Sequence, residues 1–397
     1  MSIFEPSVAH LRETGSLKWT GVSAPGDRPA QGAWVAEMDF GTAPVVAERL
    51  KKAIGDGMLG YLPYWLEDAT AEALTRFQEA RYGWAIEPSW VRTANSVLGA
   101  LEATISHLTR PGSSVIVPTP AYMPFLTIPG RHNREVIEVP SLHTAGQSCP
   151  DAWSLDLAGI KAGLEAGAGL VILCNPWNPT GRSLRTEELV ALHDLVSQYD
   201  AMVFSDEIHA PLTFADTPTF VSYASLGPHF AAHTVTAVAA SKAWNIAGLS
   251  AAQVILPDRE LREQWDQKAS AISRSAVPLG LLGAVTAYES GSDWLEEVLA
   301  YIGRNLDLLD EVVAATAVDY TRPEATYLTW LGMDAYDLDQ CPQSLLLRDY
   351  SIAANAGETL GAPYCQWVRL NAAMVRPEWE RTMDLLAQAL KAWPLKG

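Results

Sequence analysis

Residues 169–209 read GLVILCNPWNPTGRSLRTEELVALHDLVSQYDAMVFSDEIH. Two short apolar runs, Gly169–Cys174 and Ala201–Phe204, enclose a stretch with helical spacing, Arg185–Tyr199. A continuous apolar run of this length suits a strand covered on both faces, and strand–helix–strand alternation suits a parallel sheet. The alternation extends outward in both directions. Ser114–Val117, Thr234–Ala239 and Gln253–Leu256 are further strand-like runs, and Gly99–Thr109, Leu155–Glu165 and Asp258–Ser273 carry helical patterns. The predicted fold class is α/β, a mostly parallel sheet sandwiched by helices. Ligands bind beyond the carboxyl ends of the strands of such sheets. Asn175, Asp206, Ser241 and Lys242 stand just after strand runs and so face that crevice.

The pattern changes after about residue 285. An amphipathic helix is expected from Asp293 to Ala314, with Asp293 and Glu296 spaced as a capping box. Strand-like Thr326–Leu331 and Gln366–Asn371 follow, then a terminal helix opened by Pro377. Three parts are expected: residues 1–45, a segment packing with the small domain; residues 46–285, a large domain; and residues 286–397, a smaller α+β domain.

Composition narrows the function classes. The chain has 397 residues, 48% hydrophobic and 19% charged, which suits about two globular domains. Its net charge of −18, with no Lys/Arg run, disfavours nucleic-acid binding, which needs a basic face. Cys149, Cys174, Cys341 and Cys365 show no metal-ligand spacing, and free thiols in a reducing cytoplasm are expected. No apolar run approaches the ~20 residues of a membrane span, and the opening MSIFEPSVAHLRETG lacks a secretory pattern.

Three segments carry chemistry. Asn175–Gly181 (NPWNPTG) holds two Pro and a Gly, which fix a turn able to present amides. Ser205–His209 (SDEIH) places an acid at a strand end and a His three residues later. That pairing is open to a metal pair, a catalytic dyad or a structural pair. Ala240–Gly248 (ASKAWNIAG) puts Lys242 at the sheet's carboxyl edge, where desolvation lowers a lysine's pKa and makes it nucleophilic.

Taken in order, these segments resemble the fold-type I pyridoxal phosphate (PLP) enzymes of the aminotransferase class I/II superfamily. A finer resemblance is to the cystathionine β-lyase-like (MalY/PatB-type) C–S lyases. It rests on Arg12–Trp19 (RETGSLKW), Trp34–Phe40 (WVAEMDF), Gly60-Tyr61, Pro118–Phe125 (PTPAYMPF), SDEIH, SKAWNIAGL, ATYLTWL and VRLNAA. The resemblance implies that Lys242 holds PLP as a Schiff base and later acts as general base. It implies that Asp206 faces the pyridine nitrogen, that Tyr122 stacks on the ring, and that Asn178 and His209 serve the phenolic oxygen. Ser96, Val97, Leu98 and Ser241 would receive the phosphate, and Arg369, with Asn178, the substrate carboxylate. Tyr61 would cross to the partner's site in a homodimer. The implied reaction eliminates a thiol from cystathionine or another S-substituted cysteine, giving pyruvate and ammonia. An aminotransferase, or a specialised biosynthetic PLP enzyme acting on an amino acid, is the alternative. The chain departs from the wider pattern at Ser250, where many aminotransferases have Arg, at Ala239, and at Trp177, which is expected to shape the pocket wall.

Overall fold

The runs Leu170–Cys174, Met202–Asp206 and Thr234–Val238 become adjacent strands, almost wholly buried because helices cover both faces. They form the middle of a seven-stranded sheet in a computed structural model that describes residues 5–144 and 150–397. In chain order its strands are β1 (Val91–Ala94), β2 (Val115–Thr119), β3 (Val136–Pro140), β4 (Leu170–Cys174), β5 (Met202–Asp206), β6 (Thr234–Val238) and β7 (Ala252–Ile255). Their spatial order is β1-β7-β6-β5-β4-β2-β3. All run parallel except β7, antiparallel to both neighbours. The α/β sandwich read from the sequence is therefore the fold. Of the cysteines, Cys149 lies outside the described residues, and Cys174, Cys341 and Cys365 are free thiols.

A second sheet of four strands, β8 (Asp319–Tyr320), β9 (Leu328–Gly332), β10 (Asn355–Ala356) and β11 (Trp367–Asn371), has the order β8-β9-β11-β10 and is antiparallel throughout. The helices used below are α1 (Pro44–Gly55), α2 (Tyr64–Tyr82), α3 (Val97–His107), α4 (Pro278–Ser290), α5 (Ser292–Val313) and α6 (Arg376–Ala392). Pro377 sits in the first turn of α6, where its missing N–H costs nothing. The capping box expected at Asp293 is absent: Gly291 precedes α5 with no side-chain cap, and Glu296 instead pairs with Arg81 at 2.7 Å. We propose the same three parts as the sequence reading, with borders at residues 43/44 and 290/291, because 45/46 and 285/286 fall inside α1 and α4.

Residues 5–40 are fastened to the second sheet rather than built into the first. Gln31–Gly32 pairs with Ile352–Ala353, and Asn371 N–H donates to Ala33 O at 2.9 Å. Lys18 is 1% exposed and pairs with the equally buried Asp39 at 3.0 Å. Lys18 Nζ also donates to Ala373 O at 2.8 Å, and Asp39 accepts from Trp19 Nε1 at 2.8 Å and Val375 N at 3.1 Å. Burial pushes the Lys18 pKa down while Asp39 pulls it up. Removing one member strands the other charge in the core. Lys18→Met is expected to cost about 3 kcal/mol of unfolding free energy, read from urea denaturation.

Candidate active site

Lys242 lies four residues past β6, in the turn that carries the chain from the sheet's carboxyl edge. Its Nζ donates to Ala36 O at 2.9 Å. Burial and then the nearby Arg369 lower its pKa to about 8, against Asp206 and Glu37, which raise it. Asp206 ends β5, in register with Cys174 and Ala237 of the flanking strands. It is 4% exposed and its Oδ1 accepts from Ile208 N–H at 3.1 Å. Burial pushes its pKa up to about 7, and that amide and Lys242 only partly oppose the shift. Among the described residues it has no cation within ion-pair distance. A buried carboxylate of this kind lacks a cationic N–H donor.

His209 is buried beside this pair, its ring centroid 6.4 Å from that of Tyr327 in an edge-to-face arrangement. Burial, then the charges of Lys242 and Arg369, lower its pKa to about 3, so its imidazole is neutral, and its Nδ1 has no partner. The two asparagines of the NPWNPTG turn divide their labour. Asn175 is spent on the turn itself: Oδ1 accepts from Leu184 N at 2.9 Å and Nδ2 donates to Val221 O at 3.3 Å. Asn178 faces the site and accepts from Arg369 Nη1 at 3.1 Å. Trp177, expected to shape the pocket wall, is packed into the core beside the turn. It is 2% exposed, packs with Leu173 and Leu184, and donates Nε1–H to Pro120 O at 2.8 Å. The indole needs a partner for its N–H, and a main-chain carbonyl below the turn supplies it.

Arg369, on β11, reaches the site from the second sheet. Besides Asn178, its Nη2 donates to Asn355 Oδ1 at 2.6 Å and to Trp34 O at 3.3 Å, while Nε has no partner. It is 2% exposed, its pKa is lowered to about 10 by burial, and no described carboxylate pairs with it. A buried guanidinium held by neutral acceptors, with a free N–H, is prepared for a carboxylate supplied by a ligand.

The other expected residues take these places. Ser96 caps α3, its Oγ accepting from Gly99 N at 2.9 Å. The amides of Val97 and Leu98 precede the first intrahelical bond, so they are open to an anion. A Cβ on Gly99, in the first turn of α3, would stand 2.1 Å from Asn95 Oδ1, so a larger residue there would have to displace the Asn95 side chain. Ser241 is half-buried beside Lys242, whereas Ser250 is exposed with φ +47°. Tyr122 is half-buried and precedes the helix Met123–Arg131, in electrostatic reach of Asp206 and Arg369. Tyr61 is fully exposed, remote from its own chain's packing.

Three contributors escaped the sequence reading: Asn355 Oδ1 on Arg369, the Ala36 carbonyl on Lys242, and Tyr327, whose hydroxyl donates to the same Ala36 carbonyl at 3.1 Å. Tyr327 carried a signal, since it lies in the ATYLTWL run; a backbone carbonyl carries none. This donor set fits a PLP molecule. It offers a carboxylate in want of an N–H⁺, an amine for an aldehyde, open helix amides for a phosphate, and a neutral imidazole with an orphan nitrogen.

The fold and this donor set define a class. The sequence profile described as aminotransferase class I and II matches residues 35–386, and the chain belongs to that family. Within it, the chain is 34% identical to a cystathionine beta-lyase of Corynebacterium glutamicum, over 97% of this chain and 99% of that protein. It is 32% identical to the cystathionine beta-lyase PatB of Bacillus subtilis, over 90% and 92%. A crystal structure of a candidate PLP-dependent beta-cystathionase from Corynebacterium diphtheriae superposes with a TM-score of 0.88 at 34% identity, covering 97% of this chain and 98% of that one.

Proposed function

We propose that this protein is a PLP-dependent C–S β-lyase that eliminates a thiol from cystathionine or another S-substituted cysteine, giving pyruvate and ammonia. One observation carries the reading: Lys242, Asp206 and Arg369 converge, each desolvated, and neither Asp206 nor Arg369 has an ion-pair partner of its own among the described residues. The similarity to cystathionine beta-lyases over nearly the whole chain supports it.

When bound, PLP supplies an electron sink that stabilises a carbanion at the substrate Cα. The residues do the rest. Lys242 would hold the cofactor aldehyde, and Asp206 would hold the proton of the ring nitrogen. Val97 and Leu98 amides, with Ser96 and Ser241, would receive the phosphate. Asn178 and neutral His209 would serve the phenolic oxygen, and Tyr122 would cover the ring face. Arg369 takes the substrate carboxylate, with Asn178 and Asn355 setting the guanidinium plane. Lys242 Nζ, neutral above about pH 8, would serve as the base for the Cα proton when its amine is free. The thiolate then leaves Cβ.

The assembly we propose is a homodimer in a cytoplasmic setting, with Tyr61 reaching the phosphate of the partner's site. Exposed Leu59, Tyr61, Tyr64 and Trp65, together with Ile54 of α1, form an apolar patch of the kind that marks a protein interface. Among the described residues no helix is long and apolar enough to cross a membrane.

The test is a single incubation of holoenzyme with cystathionine or S-methylcysteine, reading pyruvate, ammonia and amino-group transfer to 2-oxoglutarate in parallel. Stoichiometric pyruvate and ammonia are expected. Amino transfer without pyruvate would replace this reading with an aminotransferase.

A further inference from the structure

Four successive main-chain carbonyls, those of residues 34–37, are each held by a side chain from elsewhere. Trp34 O accepts from Arg369 Nη2 at 3.3 Å, Val35 O from Asn371 Nδ2 at 2.6 Å, and Glu37 O from the same Asn371 Nδ2 at 2.7 Å. Ala36 O, between them, accepts both Lys242 Nζ at 2.9 Å and the Tyr327 hydroxyl at 3.1 Å. Asn371 is itself fixed, its Oδ1 accepting from Ala373 N at 2.7 Å. The strap is pinned again downstream, where Asn245 Nδ2 donates to Met38 O at 3.0 Å and Gly41 O at 3.0 Å. Both basic residues of the site, Lys242 and Arg369, thus have an asparagine close behind them in sequence that grips the same strap.

We propose that Tyr327 and Asn371 are positioning residues: by fixing the carbonyls of residues 35–37 they make Ala36 O a defined rest for Lys242 Nζ whenever that amine is free. The inference rests on the PLP reading above. A carbonyl oxygen has two lone pairs, and here one goes to each donor. The Tyr327 O–H therefore competes with Lys242 for electron density, which disfavours the ammonium relative to a carbonyl left to the lysine alone. The charges facing Lys242 are Asp206 and Glu37, which favour the ammonium, and Arg369, which opposes it. Neutral His209 and the phenols of Tyr122 and Tyr327 complete the surroundings. Deleting the Tyr327 hydroxyl leaves Asp206, Glu37, Arg369, His209 and Tyr122 unchanged.

The experiment uses the full-length protein stripped of cofactor. Excess PLP is added across a pH series and the rate of rise of visible absorbance is recorded. Only the neutral amine attacks an aldehyde, so the wild-type rate increases with pH and is half-maximal near pH 8. In Tyr327→Phe, which keeps the ring against His209, the midpoint should move upward by roughly half a pH unit, a roughly threefold slower rate at neutral pH. Asn371→Ser, which releases Val35 O and Glu37 O and leaves Tyr327 in place, should move it downward instead, because a loosened Ala36 O accepts less well from the ammonium. A folded variant, judged by far-ultraviolet dichroism, whose midpoint stays at the wild-type value would overturn the proposal even if its turnover fell. Collapse of both variants would equally count against it, assigning the strap's bonds to folding alone. A wild-type protein that never develops the band would instead sink the PLP reading, so the two failures are told apart.

Discussion

Lys242→Ala is expected to abolish both the visible cofactor band and turnover. Loss of a general base alone costs about 10²–10⁴ in rate. Here the same amine also anchors the cofactor, so the combined loss should exceed about 10⁴-fold, close to the limit of a pyruvate assay. The structure gives the reason no neighbour can substitute. The one other lysine tied to this part of the fold, Lys18, is 1% exposed and locked to Asp39. The protonatable side chains facing the site are His209, the carboxylates of Asp206 and Glu37, and phenols, none of them an amine, and burial holds His209 neutral. Far-ultraviolet dichroism should be unchanged, because Lys242 makes a single bond, to Ala36 O. Retention of the band in the variant would refute the assignment.

Arg369→Ala carries the second large effect. Hydrogen bonds to charged groups contribute about 1.5–3 kcal/mol each, and a guanidinium offers two in parallel to a carboxylate. A loss of kcat/KM of about 10²–10³ is expected, expressed mainly in KM. Arg369→Lys should recover little, since an ammonium cannot engage Asn178, Asn355 and a ligand carboxylate in one plane. The informative control is a substrate analogue with its carboxylate amidated. Wild type should discriminate strongly against it and the alanine variant hardly at all. Equal discrimination by both proteins would move the carboxylate site elsewhere.

The central strands were legible because burial on both faces leaves uninterrupted apolar runs, as in Leu170–Cys174 and Thr234–Val238. β1 and β3 were missed for the complementary reason. They are edge strands, where Arg92 and Glu138 break the run and Pro140 ends it. Lys242, Asp206 and Asn178 were legible as side chains placed just past strand ends. Their contacts with the second sheet were not, since nothing local to Arg369 announces that Asn355 stands opposite it in register. The burial of Trp177 was not legible, because turn chemistry fixes where the chain bends but not which side chains fold underneath. Asn175 and Asn178 look alike in sequence, and only the tertiary partners Val221 and Arg369 separate them.

The strap at residues 34–37 stores its positional information in the main chain, which has a practical consequence for redesign. Side-chain identity and geometric duty are uncoupled there, so a library can vary the half-buried Val35 or Ala36 side chains without removing the carbonyls that Asn371, Tyr327 and Arg369 read. Chain length has no such latitude: deleting or inserting one residue between Lys18 and Asn245's anchor points would slide every one of those oxygens out of phase together.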